Sequence, residues 1–266
     1  MKNERYLGAL ILAPFVIFLF LGGVYLHFGI MILSLLGMYE FYRTIKIKEI
    51  YPMDIVGYLG CIVYYIYILR NQNINIVFYI LILITMLLFC IPTINTKYNF
   101  IGISTTILSF IYISVFFSFI PLVNNKINGD YFVWFIFISS WICDTSAYYA
   151  GRAFGKHKLC PKVSAKKTIE GSIGGLLGSA IACTLFAIFL NTRGLNLPIF
   201  SFFLLGALCG IMCQFGDLAA SSIKRFAGVK DYSNLIPGHG GILDRFDSIL
   251  FAAVTVYFYL TFILGI

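Results

Sequence analysis

Charge is scarce in this chain. Only 11% of its 266 residues are Asp, Glu, Lys or Arg, against roughly a quarter in a soluble domain. Histidine is scarcer still, at three residues, so chemistry that relies on several imidazoles is disfavoured from the start. What fills the chain instead is apolar, 60% of all residues. A soluble core of this size cannot hide that much apolar surface, so lipid must be the solvent for much of it. In lipid only helices and closed barrels satisfy every backbone polar group. The apolar runs are too long and too unbroken for barrel strands and fit the roughly 20 residues of a spanning helix.

The expected fold is therefore all-α: one polytopic integral membrane domain over residues 1–266 with about nine transmembrane helices. The spans fall near 7–27, 29–45, 53–70, 74–92, 101–122, 131–150, 171–190, 197–220 and 248–264, with the first break inferred at Gly22, Gly23 and Gly29. A signal peptide with Lys2 and Arg5 as its basic region is the rival reading of the N-terminus. Its apolar stretch is too long, and no small-residue cleavage site ends it. No internal repeat or low-complexity linker interrupts the chain.

Nine spans place the N-terminus and the loops after spans two, four, six and eight on one side. That side carries Lys2, Arg5, Arg43, Lys46, Lys48, Lys97, Arg152, Lys156, Lys158, Lys162, Lys166, Lys167, Lys224, Arg225, Lys230 and Arg245, and the other only Arg70, Lys126 and Arg193. The rich side is expected to face the cytoplasm, which suits a plasma-membrane protein with its active site on the cytoplasmic face. The net charge of +8 thus points to anionic lipid and phosphorylated substrates rather than to nucleic acid. The sequence also leaves room for a homo-oligomer. The seven cysteines lie mostly in apolar helices and read as small buried thiols. Cys209 and Cys213 share a helix face, but no further ligand completes a zinc-type set.

Charge concentrates in two segments, 144–171 and 216–247, so the catalytic motifs are expected in residues 131–266. Asp217 falls near the end of span eight and Asp244 near the start of span nine. Paired carboxylates at one depth suit a hard cation such as Mg2+, which takes few protein ligands plus phosphate oxygens and water. Asp247, three residues after Asp244, could ligate the ion or orient a ligand. Lys224, Arg225, Lys230 and Arg245, with Lys166 and Lys167 from the other segment, supply the cations that two mutually repelling phosphates need. The PGHGG turn at 237–241 contains Gly238, Gly240 and Gly241, whose N–H groups could approach phosphate oxygens.

Each feature has a plainer alternative. An intramembrane Asp can simply neutralise a neighbouring base, although ionisable residues at membrane depth are functional by default. Loop Lys and Arg are often topology signals, His239 alone is more often a turn residue, and Ser221 and Ser222 can back-bond their helix. The glycines of GSIGGLLGSA at 171–180 read as helix-packing contacts. Glu40 and Arg43, one turn apart, read as an interfacial ion pair.

The stretch 221–247 resembles the signature of the phosphatidate cytidylyltransferases: SSIKR, KD, PGHGG and DRFD stand at the family's spacings. Residues 144–171 are similar to the family's upstream block. They depart from it at Ser146, where Gly is common, at Ala165, where Pro is common, and at Ile169, where Trp is common. The resemblance implies that CTP and phosphatidate give CDP-diacylglycerol and pyrophosphate with a divalent cation, Mg2+. Asp217 and Asp244 are then expected to hold metal, and Lys224, Arg225, Lys230 and Arg245 to neutralise phosphates. Asp144, Lys166, Lys167, Ser221, Asp231, His239 and Asp247 would shape the site. Two rivals are set aside. A CDP-alcohol phosphotransferase needs a DG-x-x-AR element that is absent here, and a secondary transporter would be expected to show two matching halves.

Overall fold

The computed structural model describes residues 15–71, 76–95, 97–238 and 240–266. They form α1 (Gly23–Lys46), α2 (Asp54–Asn71), α3 (Ile76–Ile94), α4 (Phe100–Ser109), α5 (Phe116–Asn124), α6 (Gly129–Phe154), α7 (Ile169–Thr192), α8 (Ile199–Ala227) and α9 (Leu243–Phe258). A π-helical turn, Phe110–Val115, makes α4 and α5 one continuous apolar rod, and a second one, Tyr259–Ile263, extends α9. The all-α membrane class holds, with one addition: β1 (Lys158–Cys160) and β2 (Ser164–Thr168) pair antiparallel between α6 and α7.

By length and composition, six described helices can cross a bilayer: α1, α3, α4 with α5, α7, α8, and α9 with its π turn. The expected count of nine is therefore not established. Boundaries also shift. Gly22 (φ +61°) and Gly23 (φ +49°) interrupt the helix after residues 15–21, but Gly29 lies inside α1. A Cβ at Gly29 would sit 2.7 Å from the Phe18 ring, so this glycine serves close packing rather than a break. Residues 7–14 of the first expected span, and Lys2 and Arg5 before it, lie outside the described residues. At the other end of the chain, α8 runs on to Ala227 because SSIKRFA remains helix-compatible until Gly228, whose φ of +80° only glycine adopts readily. Ser221 and Lys224 are thereby helical. Asp217, Ser221 and Lys224 follow at i, i+4 and i+7 and share a face.

The chain divides into two compact units, Met1–Leu122 with Phe226–Arg245, and Val123–Arg225 with Phe246–Ile266. In the first, buried hydroxyls join helices that are otherwise apolar. Ser34 meets Tyr65 (2.7 Å), Tyr64 meets Ser118 (2.8 Å), and Ser109 donates to Tyr42 (2.6 Å). Such bonds satisfy polar atoms that lipid cannot. In the second unit, small residues set the distances between helices. The glycines at 171–180 do face a helix, as expected: a Cβ at Gly175 would lie 3.0 Å from the Cys143 carbonyl and 3.1 Å from the Ala147 methyl of α6. On α8, a Cβ at Gly210 would lie 2.9 Å from the Leu176 Cα of α7. Five of the seven thiols, Cys61 in the first unit and Cys143, Cys183, Cys209 and Cys213 in the second, are buried.

Candidate active site

Polar side chains gather in each unit. In the second unit, four elements contribute. Thr168, the last residue of β2, caps α7 by accepting from the Gly171 N–H (3.1 Å). The Glu170 carboxylate closes the base of the hairpin by accepting from the Lys156 N–H (3.1 Å) and contacting His157 Nδ1 (2.6 Å). The hairpin so fixed presents Lys167, whose ammonium forms an ion pair with Asp217 on α8. Ser221, one turn along α8, donates to the other Asp217 oxygen (3.3 Å). Asp247 of α9 is buried, accepts from the Ser248 N–H (2.8 Å), and lies within electrostatic reach of Asp217, Lys224 and Asp144. Lys224 is also buried, at 8% exposed. The approach of α9 to α8 here depends on Gly216, where a Cβ would fall 2.5 Å from the Asp247 carbonyl oxygen. Three carboxylates and two ammonium groups thus converge in one unit of an otherwise apolar bundle. Asp144 and Lys166 are exposed at its edge, and so is Arg225 on α8.

The first unit holds the loop 228–242 and the start of α9. Lys230, Asp231 and Arg245 are exposed. The PGHGG segment is a tight turn: Ile236 and Gly240 exchange N–H to carbonyl bonds of 2.8 and 3.1 Å, with Gly238 at φ +72° and Gly240 at φ +85°. Asp244 closes it, its Oδ2 accepting from the Tyr232 N–H (2.9 Å) and the Gly241 N–H (3.0 Å). The N–H groups of Gly240 and Gly241 therefore serve the loop itself, where the sequence suggested that they face phosphate. His239 lies outside the described residues. Glu40, read from the sequence as a partner of Arg43, has another role. It is fully buried and bonds to Ser233, Ile242 and Leu243, and no ion pair joins it to Arg43 among the described residues. The available signal was its position, a lone acid ending the uncharged stretch 6–39.

Among the described residues no three Asp, Glu, His or Cys side chains form a set that would hold a metal by themselves. The carboxylate oxygens of Asp217 and Asp247 are donors of the hard type that Mg2+ takes. An acidic side chain on an apolar helix long enough to cross a membrane is thus held beside basic ones. The profile of the cytidylyltransferase family matches residues 3–263. The chain is 31% identical over 266 residues to the phosphatidate cytidylyltransferase of Bacillus subtilis, covering 97% of each. It is 33% identical over 257 residues to that of Staphylococcus haemolyticus, covering 94% of this chain and 95% of the relative. The chain belongs to the cytidylyltransferase family.

The Lys167–Asp217 pair can be assigned to stability or to function by magnitude. Both side chains are about a quarter exposed, at 24% and 29%, so solvent screens the pair only in part and breaking it costs folding on the order of 1–3 kcal/mol. Lys167→Met is expected to lower the thermal midpoint of the purified protein by no more than about 12 °C, while lowering turnover at least about 10-fold. A large fall in midpoint with normal turnover per folded molecule would make the pair structural.

Proposed function

We propose that this chain transfers the cytidylyl group of CTP to phosphatidate, giving CDP-diacylglycerol and pyrophosphate in phospholipid synthesis. The observation that carries this reading is the complete polar signature at 221–247, at family spacing, in a chain that matches named phosphatidate cytidylyltransferases over nearly its whole length. A phosphate oxygen of phosphatidate attacks the α-phosphorus of CTP in line. The bond from that phosphorus to the bridging oxygen breaks, and the electron pair leaves with pyrophosphate. The attacking oxygen is already anionic near neutral pH, so no strong general base is needed, which suits a chain with three histidines. Catalysis then rests on positioning and charge neutralisation.

Lys224, Arg225, Lys230 and Arg245 neutralise phosphate charge in this reading. Lys167 holds Asp217 in place through its ion pair, and Ser221 orients the same carboxylate. Asp144, Lys166, Asp231, His239 and Asp247 shape the surroundings, and Gly238, Gly240 and Gly241 give the loop its turn. Asp217 and Asp244 are the proposed carboxylates for Mg2+, a pairing that rests on the sequence alone. When bound, the ion would draw charge from the phosphates. The site faces the cytoplasm, where CTP is found. Support for that orientation is the bias of basic residues, and cysteine-accessibility labelling that put residues 152–170 and 224–245 on opposite membrane faces would end it.

Purified protein with phosphatidate, Mg2+ and each nucleoside triphosphate in turn is expected to form liponucleotide and pyrophosphate with CTP and to lose both on chelation of the metal. Conversion of CDP-diacylglycerol and an alcohol into phospholipid and CMP would point to a phosphotransferase instead. Asp217→Asn and Asp244→Asn are each expected to lower turnover roughly 10²-fold or more in protein that still purifies folded. The double variant should be little worse than either single one, as for groups that act as a unit. Near-normal turnover with an unchanged Mg2+ requirement in both would contradict the metal assignment.

A further inference from the structure

Glu40 has no part in the chemistry above, yet it is the most deeply buried acid among the described residues, at 0% exposed. Its Oε1 accepts from the Ser233 hydroxyl (2.6 Å) and the Ile242 N–H (2.9 Å), and its Oε2 accepts from the Leu243 N–H (2.9 Å). Ile242 and Leu243 open α9. The first N–H groups of a helix have no partner within it, and Ile242 has no side-chain acceptor to cap them. The missing cap comes from α1, about 200 residues earlier (|i−j| of 202 to Ile242), and its charge meets the positive end of the helix dipole.

The surrounding contacts show how tightly this anchor holds the signature loop. A Cβ at Gly241 would lie 2.7 Å from both Glu40 carboxylate oxygens, so a side chain there would push the carboxylate off its donors. One turn further along α1, Thr44 donates to the Tyr232 carbonyl (3.3 Å). The N–H of Tyr232 donates in turn to Asp244 Oδ2, which also takes the Gly241 N–H. The PGHGG turn is thus fastened at both ends, at Tyr232 and Ser233 before it and at Gly241, Ile242 and Leu243 after it.

We propose that Glu40 is a positioning residue for the transfer reaction: from α1 it sets the N-terminus of α9, and with it the placement of Asp244, Arg245 and the PGHGG turn. This rests on the transferase reading. A carboxylate with three donors is the right group for the task. A neutral amide of the same size would turn its NH2 toward an N–H, leaving a buried donor unsatisfied.

The test uses the full-length protein in lipid–detergent micelles and two readouts, CDP-diacylglycerol synthesis per folded molecule and backbone amide exchange over 232–243. Glu40→Gln is expected to purify folded, to raise exchange at Ile242 and Leu243, and to lower kcat about 10- to 100-fold, the scale on which small misplacements of reacting groups act. Glu40→Asp, which restores the charge with a shorter reach, should recover part of the loss. Normal turnover in Glu40→Gln, or unchanged exchange at those amides, overturns the proposal. If Glu40→Gln does not accumulate, Ser233→Ala decides, because it removes one of the three bonds: kcat lowered about threefold with raised exchange supports the anchor, and unchanged values overturn it. Wild-type protein that makes no CDP-diacylglycerol would instead refute the transferase reading, and the exchange data would still judge the anchor.

Discussion

The cost of placing a carboxylate in a membrane helix governs much of what is seen here. On insertion scales an Asp costs about 2.5–3.5 kcal/mol at the centre of a span and less toward its ends, and each acid here is answered by donors or cations. Glu40 has three donors. Asp217 has the Lys167 ammonium and the Ser221 hydroxyl. Asp244 has two backbone N–H groups, and Asp247 has the Ser248 N–H with Lys224 in electrostatic reach. The hairpin between α6 and α7 and the extension of α8 past its apolar stretch are the local structures that bring Lys167 and Lys224 to those acids.

Close packing makes the same arrangement geometrically feasible. Within the second unit, α6, α7 and α8 approach through Gly175 and Gly210, and α9 approaches α8 through Gly216. Without these glycines the helices would stand further apart, and the short reach of an Asp side chain would not span the gap. In the first unit the loop after α8 passes Glu40 through Gly241. Small residues and acids therefore work together: the former set the distances at which the latter find partners.

Helix class and membrane character were legible because lipid exposure leaves a compositional mark that no soluble fold shares. The signature loop was legible because its polar residues stand in an apolar background. Other features were not readable, for physical reasons. Helix ends moved because apolarity marks where lipid ends, whereas α8 continues until Gly228 removes the helical preference. The hairpin at 158–168 was hidden because a two-stranded element outside lipid has no apolar alternation to announce it. Glu40 was misread as a partner of Arg43 because i, i+3 spacing is visible in sequence, while a contact with |i−j| of 202 is not. The use of Gly240 and Gly241 N–H groups inside the loop likewise depends on a tertiary acceptor, Asp244.

In the proposed reading the acids and bases of the second unit are kept for chemistry and not for folding. Asp247 is the most direct probe, because it is buried with the charges of Asp217 and Asp144 in reach, so a neutral group of the same shape removes both the repulsion between carboxylates and the cost of burying a charge. The measurement is thermal midpoint and CDP-diacylglycerol turnover on the same preparation of Asp247→Asn. The expected result is an unchanged or higher midpoint with turnover lowered roughly 10²-fold. A lowered midpoint with normal turnover per folded molecule would contradict it.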